Sequence, residues 1–126
     1  MTQRKAQTKS PESIYVESAI SHHILLEAGD KRGSNKAHDG IIRAIKTIRG
    51  KSDRGKDFLS NLLNHADENV RLWAAYHLLP LDEKKAYTEL KHLTKKAKSW
   101  IVRSSAENTA TEWQKGSLDV DWFMNK

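Results

Sequence analysis

Two short strings constrain this chain more than anything else in it. Val70-Arg71-Leu72-Trp73-Ala74 and Val102-Arg103-Ser104-Ser105-Ala106 share the pattern Val-Arg-x-x-Ala. The spacing of valine and alanine places both on one face of a helix, with the arginine on the flank. A pattern that returns at an interval of one helical pair is the mark of a stacked repeat, in which each unit buries its apolar face against the next. Ile42-Arg43 is a weaker echo.

The flanking segments fit the same scheme. The periodicity is helical throughout, with no alternating strand and no hairpin signal. Ser10-Pro11-Glu12 starts helix 1, whose stripe of Val16, Ile20 and Ile24 runs to Gly29. A polar loop over 30–34 follows, and Asn35 caps helix 2, with Ile41, Ile42, Ile45 and Ile48 inward. Asp53 opens helix 3, with Phe58, Leu59, Leu62 and Leu63 as its apolar face. Asp67 caps helix 4, which is apolar nearly all round and is therefore a buried central helix ended by Pro80. Asp82 caps helix 5, with Ala86, Leu90 and Leu93 inward. Ser99 starts helix 6, with Val102, Ala106, Ala110 and Trp113 along its stripe and Gly116 at its end. The expected fold is all-α, about six helices in three stacked antiparallel pairs. Residues 1–9 read as a disordered basic tail and 10–126 as one helical domain. The acidic, aromatic piece Leu118–Phe123 reads as folding back onto the body.

Composition removes whole classes of function. The chain has 126 residues and no cysteine, so disulfide scaffolds, thiolate metal sites and cysteine nucleophiles are out. No apolar run approaches the roughly 18 residues that span a bilayer. With no signal-like start, the expected location is cytoplasmic and no membrane partner is expected. The six histidines lack any paired metal spacing. Asp53 with Asp57, and Asp119 with Asp121, are the carboxylate pairs available for acid–base work, but Asp53 reads first as a cap. No nucleophile elbow or phosphate loop occurs. The expectation is no enzyme, no metal and no cofactor.

The run Leu62-Leu63-Asn64-His65 … Glu68-Asn69-Val70-Arg71-Leu72-Trp73-Ala74-Ala75 resembles the helix–turn–helix of HEAT repeats, where an Asp or Asn turn precedes a Val-Arg-x-x-Ala-Ala helix. With Gly29-Asp30-Lys31, Asn35 and Trp113-Gln114-Lys115-Gly116, the chain from about residue 12 to 118 is similar to a family of small bacterial proteins catalogued as a domain of unknown function with a HEAT-like fold. The resemblance brings no established activity. Some small helical-repeat proteins of this kind are immunity proteins beside bacterial toxins, and the resemblance implies that role here.

Binding surfaces are then the question. The net charge is +6, from 22 basic against 16 acidic residues. Arg43, Arg71 and Arg103 sit at similar places on the second helix of each pair. They form either a polar ladder between repeats or an arginine-lined groove for an acidic partner. Tyr76 and Trp100 are the aromatic anchors, with Trp100 the more exposed. The expected contact residues are therefore Arg43, Arg71, Tyr76, Trp100 and Arg103, the expected partner another protein such as a toxin or acidic protein. The alternative is nucleic acid held on a basic face, where the basic residues from Lys84 to Arg103 meet those from Arg43 to Lys56. Oligomeric state is not legible.

Overall fold

The computed structural model describes residues 9–118, and these form six α-helices with no strand among them. Helix α1 spans Pro11–Glu27, α2 Lys31–Ile48, α3 Lys56–Leu62, α4 Glu68–Leu78, α5 Glu83–Lys96 and α6 Trp100–Lys115. The expected tail and the expected fold-back of the C-terminal piece lie outside the described residues, apart from Lys9, which pairs with Glu17 at 2.7 Å, and Leu118. The chain divides into two compact units between Ile48 and Arg49.

The first unit is the α1–α2 hairpin. Ser10 caps α1 as expected, its Oγ accepting from the Ser13 amide at 3.1 Å. At the other end the Asp30 amide donates to the Leu25 carbonyl and the Gly29 amide to the Leu26 carbonyl. This six-to-one closure needs a left-handed residue, and Gly29 supplies it at φ +77°.

No polar loop follows. Asp30 caps α2 directly, accepting from the Gly33 amide at 2.9 Å, so residues 31–34 are the first turn of α2 and Asn35 lies inside the helix. The acidic residue immediately after the left-handed glycine reaches the free amides first.

The buried face of α1 also differs from the expected stripe. Tyr15 and Ala19 are fully buried, whereas Ile24 is 61% exposed. Apolar residues surround α1, so no single stripe sets its rotation. The close approach to α2 sets it instead. A Cβ on Gly40 would lie 2.5 Å from Ser18 Oγ, so the two backbones meet there and turn the Tyr15–Ser18–Ala19 face inward. Ile41, Ile45 and Ile48 of α2 are buried as expected.

The second unit is built around α4, which packs against α3, α5 and α6. Val70, Ala74, Ala75, Leu78 and Leu79 are buried, as the all-round apolar pattern requires. Leu59, Leu62 and Leu63 cover it from α3. Ala86, Leu90 and Leu93 of α5 and Val102, Ala106 and Ala110 of α6 complete the core. Each fully buried aliphatic side chain contributes about 1.5–3 kcal/mol. Trp113 Nε1 donates to Glu83 at 2.9 Å, tying the end of α6 to the start of the antiparallel α5.

Helix α3 begins at Lys56, later in the chain than Asp53. A tight turn places Arg54 and Gly55 at φ 59° and 83°. The Asp53 carboxylate closes it, accepting from the Gly55 amide at 2.8 Å and the Asp57 amide at 3.0 Å. Those amide bonds hold the Asp53 carboxyl below its ordinary pKa.

Candidate functional site

The two Val-Arg-x-x-Ala strings produce the same local structure. Asp67 caps α4, accepting from the Asn69 and Val70 amides at 2.8 and 3.0 Å. At the equivalent place in the next repeat, Ser99 caps α6 through the Val102 amide at 3.4 Å. Val70 and Val102 are fully buried, as are Ala74 and Ala106. Arg71 Nη1 donates to the carbonyls of His65 and Ala66 at 2.6 and 3.2 Å. Arg103 Nη1 donates to those of Ala97 and Lys98 at 2.8 and 3.2 Å. Each arginine reaches back over its own helix start and clasps the turn that leads into it. These carbonyls face a turn with no ladder of its own, and a charged donor is a strong partner for them.

Arg71 carries one bond more than Arg103 makes among the described residues. Its Nε lies 3.2 Å from Glu89 on α5, a cross-repeat ion pair with both side chains largely buried. Burial pushes the Glu89 carboxyl above its ordinary pKa, and the Arg71 charge opposes that rise. The structure therefore gives Arg71 the ladder geometry and gives Arg103 the turn clasp.

A second cross-repeat connection was not read from the sequence. The two oxygens of Glu68 accept from the Lys98 and Ser99 amides, each at 2.8 Å. A glutamate in a first helical turn reads as a dipole partner. Its bonds to amides of the following repeat depend on how α4 and α6 are placed, which no local signal carries.

One repeat further on, the position of Glu68 is taken by Trp100. Its side chain is 67% exposed, the most exposed large apolar residue among the described residues. It stands at the start of α6 beside Lys95, Lys96 and Lys98, all exposed. Tyr76 is half-buried on α4, its ring 4.8 Å from that of His77 and 6.0 Å from that of Trp73. Arg43 lies exposed on α2 in the other unit. In α2 the fully buried Ile41, not Ile42, takes the place of Val70, so Arg43 is one residue out of step with the clasping arginines.

Asp53 is engaged by amides, and among the described residues no three His, Asp or Glu side chains converge to hold a metal ion. Asp119 and Asp121 lie outside the described residues. No described helix is long and apolar enough to cross a membrane.

Comparison with protein families matches the model for HEAT repeats over residues 25–110, more than half of the chain. The chain belongs to the HEAT-repeat family. That assignment agrees with the clasped turns, the matching caps of α4 and α6 and the all-α architecture. HEAT repeats generally mediate protein–protein interaction, and the family is typically non-catalytic. Neither the curated proteins nor the solved structures gave a match.

Proposed function

We propose that this HEAT-repeat chain is a non-catalytic protein-binding module, with residues 10–126 acting as one domain, and that it serves as an immunity-type protein of the small bacterial family it resembles. It occludes an acidic face of a toxin. The observation that carries the reading is Trp100. A tryptophan two-thirds exposed costs solvation when free and is a strong anchor when covered. The lysines beside it supply a positive rim, which speeds encounter with an acidic partner.

The other contact residues take different parts. Arg103, one turn from Trp100, holds the turn that carries Lys98 and so fixes the shape of that surface. Tyr76 contributes from α4, Arg71 keeps α4 and α5 in register, and Arg43 is an exposed cation on α2.

Affinity capture with the tagged chain, with and without nuclease, tests this. The expected result is one stoichiometric protein recovered in both conditions and lost with Trp100→Ala. Co-expression should then restore growth to cells producing the captured partner. Capture unaffected by Trp100→Ala, or no protein at all, overturns the proposal. The exposed Lys84, Lys85, Lys91, Lys95, Lys96 and Lys98 favour nucleic acid as a second reading. It requires binding that weakens steeply with salt and recovery that vanishes with nuclease.

A further inference from the structure

At the end of α5 opposite to Trp100 the second unit has a groove that the repeat geometry does not use. It is open to solvent and has a volume of about 500 Å³, within the range of about 300–1,000 Å³ typical of ligand sites. The end of α3 and the turn after it form one wall through Ser60, Leu63 and Asn64; the start of α5 forms the other through Lys84, Lys85 and Thr88. The spacing explains the two walls. Residues 84, 85 and 88 share one face of α5, and Leu63 and Asn64 follow in the turn that ends α3.

The two cations and two acids along the groove sum to zero but are held differently. Two acids, Asp82 and Glu89, also line it. Asp82 is engaged as the cap of α5, accepting from the Lys85 amide at 3.4 Å, and Glu89 is paired with Arg71 at 3.2 Å. Neither Lys84 nor Lys85 has a carboxylate at ion-pair distance among the described residues. The groove therefore presents two ammonium groups with no ion-pair partner among the described residues, next to two carboxylates held by other groups. Leu63, nearly buried, gives it an apolar floor. The Asn64 amide offers both a donor and an acceptor, which an extended peptide backbone needs.

We propose that the groove between α3 and α5 binds an extended acidic peptide segment of a partner protein, its acidic side chains on Lys84 and Lys85 and an apolar side chain on Leu63. The inference rests on the protein-binding reading but adds a second contact surface to it. A polyanion fits less well. Its phosphates repeat along the strand, whereas the groove has cations on one wall only, flanked by the carboxylates of Asp82 and Glu89. A peptide with isolated acidic side chains avoids those two carboxylates.

The test uses the full chain and a short fluorescein-labelled peptide of alternating aspartate and leucine, followed by anisotropy at physiological salt. The expected result is saturable binding, weakened at least about tenfold by the double variant Lys84→Glu/Lys85→Glu, which is about 1.4 kcal/mol. The double variant Lys36→Glu/Lys46→Glu makes the same charge change at exposed positions of α2, which lines none of the groove, and should alter binding by less than about twofold. Amide shift changes on titration should map to Ser60, Asn64, Lys84, Lys85 and Thr88, and Asn64→Ala should weaken binding even if the double variant fails to fold. Absence of saturable binding overturns the proposal. So does an equal loss in both double variants, which would mark a general field. A single-stranded oligonucleotide that binds more tightly than the peptide and is lost with Lys84→Glu/Lys85→Glu also overturns it. The two surfaces fail separately. Trp100→Ala leaves the peptide bound, and a partner that needs Trp100 while the peptide stays unbound removes the groove alone.

Discussion

The turns into α4 and α6 lead into the same Val-Arg-x-x-Ala string and diverge most at the residue after the cap. Both are capped, both have a buried valine, and in both the arginine clasps the two carbonyls of the preceding turn. The residue after the cap is Glu68 in one and Trp100 in the other. Glu68 commits its carboxylate to the backbone of the next repeat, and Trp100 faces solvent. The lesson is a division of labour along the array. Where another described repeat follows, the position joins repeats; in the last described repeat the same position faces solvent.

The comparison breaks first at the core that the two turns share. Leu90 is fully buried on α5, which packs against both α4 and α6. Leu90→Ala should cost about 3 kcal/mol, seen as a lower urea midpoint in the unfolding curve. The next largest effect separates the two arginines. Arg71→Met leaves two carbonyls and the largely buried Glu89 without their donor and should cost about 2–3 kcal/mol. Arg103→Met loses the two carbonyl bonds, with no ion pair among the described residues, and should cost about 1 kcal/mol. Equal losses in matched denaturation curves would mean that the Glu89 pair contributes nothing.

The pH dependence sharpens the same contrast. Burial raises the Glu89 carboxyl above 4.5, so its protonated form favours the fold. That contribution is present below 4.5 and is lost as pH rises through the raised value. Arg71→Met removes the opposing charge, so the loss should grow and extend to higher pH. Arg103→Met should follow the wild type across the same titration of stability. Replacement of Glu68 by glutamine keeps one acceptor and loses the charge assistance, for a cost of about 1 kcal/mol. The smallest effect belongs to Trp100→Ala, which should change the melting midpoint little, within about 0.5 kcal/mol, while removing the partner.

How much of this was readable along the chain depended on reach. Ser10, Asp67, Asp82 and Ser99 were legible as caps because a side-chain oxygen serves an amide two or three positions on. Asn35 misled because Gly33 reads as a loop breaker, yet here it is the residue whose amide Asp30 holds. The rotation of α1 was not legible, since its apolar residues lie all round and the Ser18–Gly40 approach decides which side is buried. Of the candidate contact residues, Trp100 was correctly picked for exposure. Arg71 and Arg103 were readable as a matched pair, but not which carbonyls they would clasp.

By itself the sequence determined the helices, the caps of α1, α4, α5 and α6, the buried faces of α2, α4, α5 and α6, and the repeat that relates α4 to α6. Each of these rests on contacts between near neighbours or on a periodicity fixed by the helix. Only the tertiary structure decided the Glu68 connection, the Arg71–Glu89 pair and the groove between α3 and α5. Those join groups far apart along the chain, whose meeting depends on how whole helices pack. The helix period is a property of the backbone, but the placement of one helix on another is set by summed packing that no single segment contains.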